Sequence, residues 1–324
     1  MRCGRREEEM KSIDSSFQRP RDLPDIHILS SGTSICAGCG GLQAIHEILD
    51  ILGLKTVTVN ASGCMSLLSV YPFTPFSGSW LYTAMASAPA GAQGVRDALD
   101  RLLAKKRISS DEDMQVVVLS GDGSATGIGL SATSGAIDRR LDFIYICYDN
   151  EGYGNTGQQF SAGTPHGART TTSRGEHGYC GYKKDLFSIW KANHPAYLAT
   201  VSGAEPLDLA RKIEKAKSIK GPSLIIAFSP CPTGWHFPPQ ESIEIGKLAI
   251  RTGVWPLKEY EDGKVVHTYM PARRLPVTEY LKKQGRFAHL FHPGNEYLIK
   301  EMQAELDAYW ACVEKSVKSS ETKE

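Results

Sequence analysis

Two apolar runs, Gln115–Ser120 (QVVVLS) and Asp142–Tyr148 (DFIYICY), constrain the fold more than any other feature of the chain. Each is a short stretch bounded by polar residues or glycine, the pattern of a buried strand. Gly129–Arg139 between them reads as a helix, and the alternation continues on both sides. Leu42–Leu52 places Ile45, Ile48 and Leu49 at helical spacing, and Thr56–Asn60 is a short strand. Ala84–Leu103 is helical, with Pro89 expected to kink or divide it. Lys184–Ala192 (helix), Tyr197–Val201 (strand), Pro206–Ile219 (helix) and Ser223–Phe228 (strand) follow. Such alternation predicts an α/β fold, a doubly wound, mostly parallel sheet covered by helices. From about Gln240 a helix, a β region near Val265–Tyr269 and a terminal helix near Asn295–Cys312 form an extension. The expected organisation is a flexible tail over 1–25, an α/β domain over 26–240, and a C-terminal extension over 241–324 that packs on the domain or on a partner subunit.

The 324 residues suffice for a large core, and a net charge of +1 gives no bulk field for nucleic acid or an anionic membrane. No apolar run is long enough to span a bilayer, and Met1–Ser16 lacks the apolar centre of a signal peptide. A cytoplasmic location is expected, where the eight cysteines point to metal or redox chemistry rather than to disulfides.

Cys36-Ala-Gly-Cys39 is a C-x-x-C pair, Cys64 follows the Thr56–Asn60 strand, and Cys231 precedes a proline after the Ser223–Phe228 strand. Four thiolates suit one [4Fe–4S] cluster or one Zn(Cys)₄ site, and spacing alone leaves both open. Cys147 reads as core; Cys180 near His177 is a minor metal candidate. Gly121-Asp122-Gly123 directly follows QVVVLS, and Asn150 ends the next strand 28 residues after Asp122. Beyond strand ends in an open α/β sheet, glycines admit a phosphate and Asp122 is a hard donor for Mg²⁺. Asn150–Arg174 is a long Gly/Thr/Ser loop of the kind that carries function. His46 reads as structural, and His166 and His177 as loop candidates for substrate contact. Tyr71, Phe73, Phe76 and Trp80 read as core or interface packing.

These motifs together resemble the β subunit of pyruvate:ferredoxin oxidoreductase, a 2-oxoacid:ferredoxin oxidoreductase. The resemblance is carried by Cys36-Ala-Gly-Cys39-Gly, Ser62-Gly63-Cys64, Gly121-Asp122-Gly123 through Asn150, Ile144 to Gly157, Thr164-Pro165, Thr170-Thr-Thr172, Cys231-Pro-Thr-Gly-Trp235, Ile243 to Ala249 and Thr252 to Pro256. It implies a pyrophosphate-type domain binding thiamine diphosphate, Mg²⁺ and one [4Fe–4S] cluster. By that resemblance Cys36, Cys39, Cys64 and Cys231 hold the cluster, and Asp122, Asn150 and the Gly152 carbonyl hold Mg²⁺. Ser62, Gly63, Gly121, Asp122, Gly123, Ser124, Asn150, Gly152, Tyr153 and Asn155 contact the cofactor, with Asn155 the catalytic candidate beside the reacting carbon.

The implied reaction is oxidative decarboxylation of a 2-oxo acid, pyruvate first, to acyl-coenzyme A and CO₂ with electrons passed to ferredoxin. Oxalate and branched-chain or aryl 2-oxo acids are the alternatives. A zinc-stabilised non-redox thiamine enzyme and a docking subunit are the more distant ones. Departures near the substrate side are His166-Gly167 after Thr164-Pro165 and a divergent Arg174–Tyr182; Ser62 stands where threonine is common in the family. The chain shows neither a motif for the family's thiamine-activating glutamate nor a ferredoxin-type cysteine run. Both are therefore expected on other subunits of a hetero-oligomer.

Overall fold

A computed structural model describes residues 17–321. Eight strands form one sheet in the order β2-β1-β3-β4-β6-β5-β7-β8. They are β1 (Thr56–Ala61), β2 (Ser79–Thr83), β3 (Gln115–Gly121), β4 (Phe143–Asp149), β5 (Tyr197–Ser202), β6 (Pro222–Phe228), β7 (Lys258–Glu261) and β8 (Lys264–His267). The first six run parallel; β7 and β8 add an antiparallel hairpin to β5. The helices are α1 (Gly40–Leu52), α2 (Ala88–Ala104), α3 (Leu130–Asp138), α4 (Leu186–Lys191), α5 (Pro206–Ser218), α6 (Pro232–Trp235), α7 (Ser242–Thr252), α8 (Thr278–Leu281) and α9 (Glu296–Glu321).

Alternate side chains of the central strands feed two cores. Val117, Leu119, Ile144, Ile146, Ile225 and Ala227 pack beneath α1 and α5; Val116, Val118, Phe143, Tyr145, Leu224 and Ile226 pack beneath α2, α3, α7 and the C-terminal segments. Full burial of each large aliphatic side chain contributes about 1.5–3 kcal/mol. A carboxylate placed at Ile225, buried among apolar neighbours, would lose that and leave an unpaired charge.

The doubly wound, mostly parallel sheet is as expected, with local differences. Pro89 starts α2 rather than breaking it, because a first-turn proline gives up no helical hydrogen bond. The Ser79–Thr83 edge strand was not foreseen; its half-exposed aromatics lack a clean period. Within the tail expected over 1–25, one described residue is anchored. Phe17 is buried, and its carbonyl accepts hydrogen bonds from the Arg211 guanidinium at 3.0 and 3.2 Å. Residues 1–16, including Cys3, lie outside the described residues. The segment after 240 shares the main core through Ile245, Leu248 and Ala249. Among the described residues no helix is long and apolar enough to cross a membrane.

Candidate cofactor and metal site

β3 and β4 are adjacent and parallel, so Asp122 and Asn150 emerge together at the carboxyl edge of the sheet. Asn150 Oδ1 lies 2.8 Å from Asp122 Oδ1 and 2.8 Å from the Gly152 main-chain oxygen. Its Nδ2 donates toward Cys64 Sγ at 3.7 Å. Three oxygens this close repel one another unless a cation lies among them. Neighbouring ligands of an octahedral Mg²⁺ with bonds of about 2.0–2.1 Å stand roughly 2.9 Å apart, which matches. The amide turned over would donate to both oxygens and could accept from the Cys64 thiol, the arrangement that suits a cation-free site; the orientation shown suits an occupied one. The oxygen set therefore fits a hard divalent cation.

Charge leads to the same place. Lys183 Nζ bonds Asp149 and Glu151 at 2.8 Å each, and Arg286 bonds Glu151 at 2.6 Å. Three buried carboxylates thus face two cations, and among the described residues Asp122 is the one of the three with no direct salt bridge, feeling Lys183 only at a distance. Burial, then the charge of Asp149, pushes the Asp122 carboxyl up to about 8. Glu151 is held below its usual range: burial opposes ionisation, but Lys183 and Arg286 outweigh it. Ser161 Oγ and Thr126 Oγ1 fix the Asp122 carboxylate and carbonyl respectively.

After Gly121-Asp122-Gly123 the chain makes a π-helical turn, Ser124–Ile128, before α3; such insertions recur at functional sites. Here it carries the backbone past a cleft of about 110 Å³. Ser62, Gly63, Gly121, Gly123, Ser124, Asn150, Gly152, Tyr153 and Asn155 all line this cleft, while Asp122 lies fully buried beneath it. Ser62 Oγ pairs with Tyr82 Oη at 2.7 Å, and Tyr153 Oη donates to the Gly123 carbonyl at 3.3 Å.

Cys36, Cys39, Cys64 and Cys231 line a second cavity of about 520 Å³ that shares Cys64, Tyr148, Asn150, Gly154 and Asn155 with the first. Cys39 and Cys231 each cap a helix, accepting from Leu42 N at 3.4 Å and Gly234 N at 3.3 Å. Pro232 follows at the first turn of α6, where proline is favoured. The Gly40 N–H donates to the Pro230 carbonyl at 3.0 Å and ties the C-x-x-C loop to the Cys231 loop. Gly38 is required there: its φ is +69°, and any side chain would strike the Pro239 backbone. A Cβ at Gly154 would crowd the two side chains that meet there, Asn150 Nδ2 at 2.8 Å and Cys64 Sγ at 3.0 Å.

Burial, and then the neighbouring thiols Cys231, Cys39 and Cys36, push Cys64 up to about 12; burial pushes Cys231 up to about 11. The thiols feel one another, and a cationic centre among them would relieve that. Among the described residues, the one group of three or more donors lying within 4.8 Å of one another is His27, His46 and Asp50. The four thiols, though they line one cavity, are not gathered as closely as the ligands of a closed Zn(Cys)₄ site, and four thiolates around a shared space suit a metal centre.

Residues 61–227 match the family described as thiamine pyrophosphate enzyme, C-terminal TPP binding domain. The chain is 44% identical over 285 residues to pyruvate synthase subunit PorB of Methanocaldococcus jannaschii, covering 86% of this chain and 95% of that one. It belongs to the thiamine-diphosphate-binding β subunits of 2-oxoacid:ferredoxin oxidoreductases. Ketoisovalerate oxidoreductase subunit VorB of Pyrococcus furiosus is 38% identical, with 89% and 94% of the two chains covered. In fold, the β subunit resembles 2-oxoglutarate:ferredoxin oxidoreductase from Magnetococcus marinus, with a TM-score of 0.55, 19% identity, and 88% and 98% of the chains covered.

Other residues singled out in the sequence fall elsewhere in this β subunit. His177 pairs with Asn295 at 3.2 Å, not with Cys180, and His166 stacks on Tyr182; neither lines the two cavities. Cys147 is buried in β4. Tyr71 and Phe73 are 97% and 78% exposed, a surface rather than a core position, whereas Trp80 stacks between Phe76 and Tyr82. Lys183, Arg286 and His236 were not foreseen. Arg286 and His236 line the thiol cavity, and Arg286 stacks 3.7 Å above the Trp235 ring. Nothing in local spacing marks Glu151 and Arg286, 135 residues apart, as partners.

Proposed function

We propose that this β subunit binds thiamine diphosphate with Mg²⁺ at Asp122, Asn150 and the Gly152 carbonyl, and one [4Fe–4S] cluster at Cys36, Cys39, Cys64 and Cys231, for oxidative decarboxylation of pyruvate to acetyl-coenzyme A. The observation that carries this reading is Asn150, whose amide lies between the Asp122 and Gly152 oxygens on one side and Cys64 Sγ on the other. One side chain thus joins the two constellations.

Bound thiamine diphosphate supplies the electron sink for loss of CO₂ from a 2-oxo acid. The chain's own residues bind and orient. Asp122 and Asn150, held by Ser161 and by the Lys183–Arg286 network, would anchor the cation that neutralises the diphosphate. Ser62, Gly63, Gly123, Ser124 and Tyr153 would line the cofactor's seat. Asn155, on the wall common to both cavities, would present its amide to the substrate.

No glutamate lines the cleft among the described residues, which favours a partner subunit as its source. The exposed Tyr71, Phe73, Leu81 and Tyr82 adjoin the cleft through the Tyr82–Ser62 hydrogen bond, and a partner covering them would reach it. Pyruvate is favoured over a branched-chain 2-oxo acid because PorB relatives reach 44% identity and VorB relatives 39%. Ferredoxin and coenzyme A enter as acceptor and acyl carrier, and a cytoplasmic setting agrees with oxygen-sensitive clusters.

The test is an anaerobic panel of 2-oxo acids on the native complex, following viologen reduction. Pyruvate with coenzyme A is expected to be fastest, and the isolated β subunit inactive. Full activity of the isolated chain, or a branched-chain substrate at least tenfold better, would overturn the subunit or the substrate assignment respectively.

A further inference from the structure

On the far side of α1 from the sheet lies a cluster that the reaction above does not use. His46 and Asp50 are four residues apart on the helix and so share a face. His46 Nδ1 and Asp50 Oδ2 are 3.3 Å apart, the ligand-to-ligand edge of a tetrahedral ion with bonds of about 2.0–2.1 Å. His27 brings a third donor from the entering segment, and all three donor atoms lie within 4.8 Å of one another. The two imidazoles meet edge to face with centroids 5.8 Å apart.

Several features prepare this cluster to bind. Asp50 is buried, and its Oδ1 accepts the Ile28 N–H at 2.9 Å, which fixes the carboxylate and directs Oδ2 toward His46. His27 holds φ at 55°, a left-handed conformation that costs a non-glycine residue about 1–2 kcal/mol. Asp25 Oδ1 lies 3.0 Å from His27 Nε2. It holds the ring from its other nitrogen, as carboxylates beside metal-bound histidines do. The exposed His27 and half-buried His46 imidazoles leave an entry path for an ion. Two imidazoles and one carboxylate select zinc-class transition ions over Mg²⁺ or Ca²⁺, and the absence of a thiol in the set separates it from the cysteine cavity.

We propose that His27, His46 and Asp50 form a divalent transition-metal site that staples residues 25–28 to α1. The cross-link would steady the helix whose cap is Cys39. Binding to the folded state alone would add to stability.

The test uses the full chain with its iron–sulfur site loaded anaerobically, titrated with Co²⁺ as a spectroscopic stand-in for Zn²⁺. Expected is one Co²⁺ per chain, displaced by Zn²⁺, with visible ligand-field bands and no thiolate-to-cobalt charge-transfer band. His27→Gln and His46→Gln should each weaken binding at least tenfold and remove the Zn²⁺-dependent rise in melting temperature, with iron content unchanged. Unaltered Co²⁺ affinity in both variants, or a thiolate charge-transfer band that Cys36→Ser removes, would overturn the site. Because no ligand is a thiol, Cys36→Ser should retain the Co²⁺ signal whether or not the cluster assignment above is correct.

Discussion

The two halves of the cofactor site are built in opposite ways. The cation pole stands on the ends of two adjacent central strands, and its carboxylates are buried and locked by Lys183, Arg286 and Ser161. The thiol crown is drawn from three separate stretches, the C-x-x-C loop and the segments holding Cys64 and Cys231, with Cys36 exposed and the other three half-buried. The pole is shaped by the fold before any ligand arrives. The crown is brought together by loop packing, and its thiols resist ionisation until a metal centre compensates them.

The sharpest way to break this contrast is to compare Arg286→Met with Cys36→Ser in the cofactor-free chain. Removing Arg286 leaves Glu151 buried with one cation fewer, and breaking a buried pair costs about 3–5 kcal/mol. Cys36→Ser, at an exposed loop position, should cost under about 0.5 kcal/mol. Denaturant unfolding reads both; equal costs would erase the distinction.

Next in size is Asp122→Asn. Losing the charged ligand should weaken Mg²⁺-dependent thiamine diphosphate binding by about 100-fold, roughly 2.7 kcal/mol, in calorimetry. Iron and sulfide content should stay unchanged. Iron loss in step with thiamine binding would mean that the halves are one cooperative unit rather than two.

Asn150→Asp probes the link between them. It keeps an oxygen for the cation but replaces the N–H that faces Cys64 Sγ with a charged oxygen. A lost hydrogen bond of about 1 kcal/mol corresponds to roughly 40 mV, so the cluster's midpoint should fall by at least that much in a potentiometric titration. An unmoved midpoint would uncouple Asn150 from the cluster.

A further effect, visible only through its pH dependence, is expected on α1 beside the crown. Glu47 Oε2 is buried without a hydrogen-bond partner among the described residues, and burial raises its carboxyl to about 7 from 4.5. A raised carboxyl destabilises the fold as pH climbs from about 4.5 to 7, and the full cost persists above. Glu47→Gln should therefore match the parent near pH 4.5 and exceed it by about 1–3 kcal/mol at pH 8. Equal stability at both pH values would show that Glu47 is better solvated than its surroundings imply.

The same contrast governs what could be read from the sequence. QVVVLS and DFIYICY announce buried parallel strands, and the pole follows because their ends carry Asp122 and Asn150. The crown was half legible: C-x-x-C advertises itself, but Cys64 and Cys231 join it only through family resemblance, since loop packing that joins Gly40 to Pro230 has no local signature. The Lys183 and Arg286 counter-charges come from distant segments and have no periodicity to betray them. β2 escaped notice because it carries exposed apolar side chains, Leu81 and Tyr82, on both faces and so lacks the apolar/polar alternation of a strand open to water on one side.

The most direct test replaces Mg²⁺ with Mn²⁺ in the anaerobic native complex and follows paramagnetic resonance while the cluster is reduced. Mn²⁺ loaded with thiamine diphosphate should bind one per chain at Asp122 and Asn150, and cluster reduction should broaden its signal through their proximity. A Mn²⁺ signal indifferent to cluster reduction, or material without iron and labile sulfide, would contradict a cation pole and a thiol crown joined through Asn150.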